Sequence, residues 1–169
     1  MRFNFMMLSF LILTHSLPAV AQDKALTDAE QVAGLQKMCS ENAEAIKQRQ
    51  AQKSLYERLG KRPRIHLLAK KILAAHSANP KIGHLFAHVK KANFVKNVTD
   101  FLVVGTGGQG TYTGQDMGRV HKSLKITNAD FLSAGGDVTG VMKEMKYGEN
   151  ETQEIVCALV SFVPVVVVQ

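Results

Sequence analysis

The chain has 169 residues, 46% of them hydrophobic and 21% charged, with a formal net charge of +7 when histidine is neutral. This is ordinary globular composition with room for one domain, and it excludes a disordered or low-complexity chain. Tryptophan is absent and aromatics make up 7%, so the core must be mainly aliphatic.

Residues 1–21 read as a signal peptide rather than part of the fold. Arg2 gives a weakly positive start, Phe5 to Leu13 is an apolar run, and Ala19-Val20-Ala21 fits the small-x-small cleavage rule before Gln22. The run is shorter than the roughly 20 residues a membrane-spanning helix needs. A short anchor is the alternative, but no stable membrane insertion is expected after cleavage, and the chain is expected to be exported, periplasmic or secreted. Removing this segment leaves 20 basic and 14 acidic residues, a charge of +6. The lysine pairs Lys70-Lys71 and Lys90-Lys91 are isolated and the other cations are scattered, which describes a solvated surface. No nucleic-acid partner is expected.

Residues 22–53 read as a helical extension. Thr27 and Glu30 have capping-box spacing, and Val32, Leu35, Cys39 and Ile46 form a thin apolar stripe. From residue 54 the helical signals strengthen. Pro63 suits a first turn, and Ile65, Leu68, Ala69, Ile72, Leu73 and His76 share one face before Asn79-Pro80 stops the helix. Asn93 is placed to cap a second long helix with Phe94, Val98, Phe101, Leu102 and Gly105 inward, and Gly105 to Gly110 breaks it. A short helix from about Asp116 carries Met117, Val120, His121 and Leu124. Thr127 and Asp130 open the next, with Phe131, Ala134, Val138, Met142 and Met145 on one face. A last helix starts near Glu151. The β-branched tail Phe162 to Val168, interrupted by Pro164, either finishes that helix or lies extended over the core. Little alternates with period two, so the domain is all-α.

His121 on the apolar stripe of a short helix is, on its own terms, either a core histidine with a satisfied hydrogen bond or a metal ligand. Zinc would need three or four ligands at close spacing, which are not present. Haem needs only one protein ligand and a slot of apolar side chains, because the porphyrin supplies four nitrogens.

From Ser54 to about Val160 the sequence resembles the truncated haemoglobins, most closely their first group. The likeness rests on five elements in order: Ser54 to Gly60 (SLYERLG), Leu85-Phe86, Gly107-Gly108 with Tyr112-Thr113-Gly114, Met117 to His121 (MGRVH), and Ile126 to Phe131 (ITNADF). The resemblance implies a two-over-two helical sandwich over residues 54–169, holding haem b (iron protoporphyrin) with His121 on the iron. It implies that Phe86 stacks on the porphyrin, that Met117, Val120, Phe131, Ala134 and Val138 line the ligand side and floor, and that Tyr112 either reaches a propionate or packs. Leu73, Phe94 and Val98 fall where many relatives carry a tyrosine, a glutamine or another polar group facing the bound gas. All three are apolar here, so oxygen would be held more loosely. His76, His84 and His88 are the remaining donors that could swing toward the iron, or else core-edge and surface residues. Where the first group usually has a Gly-Gly pair, this chain has Gly60-Lys61.

The function implied is reversible binding of a diatomic gas (oxygen, nitric oxide or carbon monoxide), in the manner of an oxygen-binding or oxygen-transport globin. A haem enzyme, a nitric-oxide dioxygenase or peroxidase-like protein served by a redox partner, is the alternative. A haem-free helical protein is a third reading, opposed by His121, Phe86 and the Y-T-G loop. Cys39 and Cys157 either form a disulfide, which an oxidising compartment permits, or remain apart with Cys157 as a small buried hydrophobe.

Overall fold

Helix starts in this protein are set by local polar chemistry. Thr27 accepts a hydrogen bond from the Glu30 amide while the Glu30 carboxylate accepts from the Thr27 amide, which opens α1, Asp28–Glu41. Asn42 interrupts the run, and α2 continues as Ala43–Gln52. Ser54 caps the single turn α3, Leu55–Arg58, through the Glu57 amide. The long α4, Lys61–Ala78, then carries Ile65, Leu68, Ala69, Ile72, Leu73 and His76 on its buried face. Lys61 itself sits at φ 63°, in the left-handed region that glycine tolerates best, which accounts for a Gly-Gly pair being the commoner choice there.

A 3-10 turn, Gly83–Phe86, leads to α5, Lys91–Gly105. Its N-cap is Lys90 rather than Asn93, and Gly105 is exposed rather than inward. The glycine-rich loop follows, then α6, Met117–His121, and α7, Asn128–Glu144, opened by a second capping box between Thr127 and Asp130. The last long helix, α8, is Glu149–Val160, two residues longer at its start than the sequence suggests. The apolar tail does not finish α8, which ends at Val160. It makes one turn, α9 Val163–Val166, and then extends to pair with Ile126 as an isolated parallel bridge. These are the elements of a computed structural model that describes residues 25–168; the signal-peptide reading of residues 1–21 lies outside them. Among the described residues there is no strand, and no helix is long and apolar enough to cross a membrane.

The long helices pack as two pairs. Helix α4 lies against both α5 and α7, while α8 packs on α7 and on α1. Between them is an aliphatic core of Leu55, Leu59, Ile65, Leu68, Ile72, Leu102, Val103, Val138, Val141, Met142 and Ile155. This is the all-α sandwich expected of the globin pattern.

One polar cluster fastens the N-terminal region to this core. The Glu154 side chain is 1% exposed, and it accepts from Arg49 Nε at 2.7 Å, from an Arg58 guanidinium nitrogen at 2.6 Å and from Gln50 Nε2 at 3.2 Å. Arg58 also meets Glu151 at 2.7 Å. Burial alone would raise the Glu154 carboxyl's pKa, but the hydrogen bonds and charges of Arg49 and Arg58 outweigh it and hold the group below the ordinary carboxylate value. A lowered folded-state pKa stabilises above the unfolded value and is lost as pH falls toward the folded one, so this contribution fades only in acid. Glu154→Gln should destabilise the fold by about 3 kcal/mol at neutral pH, because two guanidinium groups lose their shared counter-charge. Denaturant unfolding of the variant checks this, with an unchanged midpoint as the contrary result.

Candidate functional site

Helix α6 is five residues long, far below the length at which a helix holds itself in water. Its start is fixed by Asp116, whose carboxylate accepts the Arg119 amide at 3.1 Å. Its last residue, His121, is half-buried, and its Nδ1 lies 2.8 Å from the Met117 carbonyl oxygen. A carbonyl only accepts, so Nδ1 carries the proton, and in the neutral ring Nε2 keeps its lone pair. Nε2 has no hydrogen-bond partner among the described residues, and none of their buried side-chain nitrogens or oxygens is left unpaired, so Nε2 is not sealed in the interior. An imidazole held by a backbone carbonyl with the other nitrogen free is the arrangement a metal-ligating histidine requires. No group of three or more histidine, cysteine or acidic side chains able to hold a bare metal ion exists among the described residues. The donor set therefore fits a metal that brings its own equatorial ligands, as haem iron does.

The aromatic side chains supply the second feature. Phenylalanine is ordinarily among the most buried residue types. Here all five phenylalanines of the described residues, Phe86, Phe94, Phe101, Phe131 and Phe162, are only half-buried, and the core is filled by leucine, isoleucine, valine and methionine instead. Phe86 and Phe94 meet edge to face at 5.8 Å, and both pack with Val98 and Val89 on the buried trio Ala69, Leu73 and Val95. The structure thus brings Leu73, Phe86, Phe94 and Val98 into one cluster where α4, the 3-10 turn and α5 meet.

The other expected pocket residues are not part of this cluster. Val138 is buried in the main core, and Phe131 and Ala134 are half-buried on α7. Met117 is half-buried on α6, whereas Val120 is 45% exposed. Tyr112 stacks edge to face on Phe101 at 5.5 Å, and its hydroxyl donates to the Gln115 carbonyl. Burial, with Asp116 nearby, pushes the Tyr112 phenol's pKa up. The loop before it is tight. A side chain at Gly108 would come within 2.6 Å of the Tyr56 ring and 2.8 Å of the Val103 carbonyl, so only glycine fits.

The three further histidines separate. His84 and His88 are exposed. His76 is 6% exposed, its Nδ1 is 2.9 Å from Asp137 Oδ2, and its ring lies 5.0 Å from that of Phe86. Asn79 donates to both oxygens of the same carboxylate at 2.9 Å and reaches Ser133 at 3.0 Å. His76 is thus tied from α4 to α7 behind Phe86. Asp137 lies 61 residues from His76, so no local sequence pattern marks it as that histidine's partner.

No family model matches the chain. Two curated proteins do, each a group 1 truncated hemoglobin: that of Tetrahymena thermophila, 28% identical over 98 residues covering 56% of this chain and 78% of the relative, and that of Tetrahymena pyriformis, 28% identical over 96 residues covering 54% and 76%. Among solved structures, the Fe(III) form of the T. pyriformis truncated hemoglobin aligns with a TM-score of 0.64 at 20% identity, over 69% of this chain and all of the other. The 2/2 hemoglobin of a Synechococcus species, in the cyanomet state with covalently attached heme, aligns at 0.61 with 22% identity, over 67% and 94%.

Proposed function

We propose that this chain, a globin whose sequence and fold are those of the truncated haemoglobins, most like their first group, is an exported haem b protein that reversibly binds a diatomic gas. His121 Nε2 would hold the iron from one side. The observation that carries this is the hydrogen bond from His121 Nδ1 to the Met117 carbonyl, which leaves Nε2 as a free donor on a short helix. Phe86 and Phe94 support it, because they meet beside Leu73 and Val98 and are each only half-buried, which leaves part of their flat apolar surface uncovered.

The haem iron supplies the bond to the gas; the chain's residues decide how the group is held and what else touches it. Phe86 and Phe94 would give the ring an aromatic bed, and Met117, Phe131 and Ala134 an apolar lining that excludes water from the iron. Leu73, Phe94 and Val98 offer no hydrogen bond. His76 is engaged with Asp137 and would therefore not serve as a second ligand to the iron, so the side facing the gas would stay apolar. Purified protein should show an intense Soret band that shifts on adding carbon monoxide to the ferrous form, with a five-coordinate, high-spin ferrous spectrum beforehand. A colourless protein that takes up no haem, or a sharply split low-spin ferrous spectrum, counts against the proposal.

The apolar gas side has a second measurable consequence. A hydrogen bond to a charged partner contributes about 1.5–3 kcal/mol, or roughly ten- to a hundredfold in an equilibrium. Val98 is half-buried beside Phe94, so Val98→Gln can place an amide there without opening a cavity. Oxygen should then dissociate about ten to a hundred times more slowly in stopped-flow mixing, with carbon monoxide much less affected. Equal rates for oxygen would show that residue 98 does not face the gas.

A further inference from the structure

Helix α6 is too short to fix its own position, so something else must aim His121. Among the described elements, the one packed most closely on α6 is α9, the turn in the C-terminal tail. The contact continues past both helices. After α6 the chain turns through Lys125, whose φ of 49° is a left-handed conformation that a side chain disfavours. It then enters Ile126, which pairs in parallel with Val167, and the Val168 amide donates to the Ile126 carbonyl at 2.9 Å. Ile126 and Val167 are both buried. At the other end of α6, Gly118 lies under the tail: a Cβ there would sit 3.6 Å from the Val165 carbonyl oxygen and 3.7 Å from the Val165 Cβ. The same Cβ would sit 3.2 Å from Asp116 Oδ1, the cap of α6, so the space between cap and tail is already tight for alanine and excludes a longer side chain.

The tail is itself anchored from behind. Phe162 packs on Phe101 at 5.5 Å, and Val163, Pro164 and Val167 share a groove with Val32 and Ala33 of α1. Helix α1 is in turn bonded to α8 through Cys39–Cys157. The tail continues from the last helix, to which the first helix is bonded, and its outer end contacts the chain before and after His121.

We infer that residues 163–168 are a strap that positions His121, with Val165 and Val167 as positioning residues for the iron–histidine bond. The inference rests on His121 being the iron ligand, as proposed above. Removing the strap leaves α4, α5, α7 and α8 and their core intact, and frees α6 to shift.

The test uses the haem-loaded full chain and three variants: a chain ending after Phe162, Gly118→Leu, and Gly118→Leu combined with Val165→Ala. The readouts are the iron–histidine stretching band of the ferrous protein after photolysis of carbon monoxide, and the rate of haem transfer to excess apomyoglobin. The shortened chain and Gly118→Leu should show a shifted or broadened band. Both should also lose haem about ten- to a hundredfold faster, the range found when support for a metal ligand is removed. Val165→Ala should restore the band in the Gly118→Leu background by reopening the space under the tail. If the shortened chain does not fold, as judged by far-ultraviolet circular dichroism, the Gly118 pair alone decides. An unchanged band and haem-loss rate in the folded variants would overturn the strap. Haem uptake with no iron–histidine band in the full chain would instead overturn the assignment of His121, and the strap with it.

Discussion

His121→Ala should abolish the native haem spectrum while leaving the protein helical. His121 Nε2 is the only imidazole nitrogen on α6 free to bond iron, and the Nδ1 hydrogen bond to the Met117 carbonyl orients the ring. Loss of such outer support typically costs about 10–100-fold in metal affinity, so loss of the ligand itself should weaken haem binding by more than about a hundredfold. The fold has little stake in this residue. His121 is half-buried, α6 contributes no side chain to the main core, and the long helices carry the far-ultraviolet signal. Added imidazole should enter the space the mutation opens and restore a histidine-like spectrum. The measurement is an absorption titration of the variant with haem, with and without imidazole. A native spectrum in the absence of imidazole would place the ligand elsewhere. His76→Ala is the informative companion, because His76 is engaged by Asp137 and should cost stability without changing the coordination.

Much of the framework was legible because it is local. Both capping boxes, Thr27 with Glu30 and Thr127 with Asp130, are spelled by residues three apart and are formed as expected. The buried face of α4 and the short helix that ends at His121 both follow from helical periodicity. Features made by distant partners were not legible. A glutamate near the C-terminus reads as surface, yet Glu154 is buried because Arg49, Gln50 and Arg58, about a hundred residues earlier, converge on it. Helix α5 starts three residues before the point Asn93 suggests: Asn93 has the right chemistry for a cap, but the chain is already helical from Lys91, with Lys90 at the cap. The tail was ambiguous for a physical reason: β-branched residues with a proline favour neither state locally, and the choice was made by contact with Ile126 and α6. Residue types around the site were easier to read than their exposure. Nothing in the periodicity distinguishes a fully buried phenylalanine from one that is only half-buried.

The disulfide carries the second large effect. Cys39 and Cys157 are bonded with a Cα separation of 5.4 Å across 118 residues of sequence, which joins α1 to α8 and encloses almost the whole domain in one covalent loop. A link of that span chiefly restricts the unfolded chain, and the chain-entropy estimate for a loop near 100 residues is about 4.7 kcal/mol. The non-covalent hold on the extension is slight by comparison. Val32 is the only buried residue of α1, and α2 has none, so the packing of α1 on α7 and α8 covers little apolar surface and the Glu154 cluster is the main polar tie of residues 28–52 to the domain. Reduction, or Cys39→Ala with Cys157→Ala, should therefore lower the melting temperature by about 10–20 °C, taking roughly 2–4 °C per kcal/mol for a chain of this size. The extension should also become the first segment cut by a protease. If the strap reading holds, the same reduction should speed haem loss, because α1 backs the tail that grips α6. The decisive comparison is thermal melting of the oxidised protein, the reduced protein and the double variant at one pH. Coincident melting curves for all three would mean that the helices hold the extension without the bond.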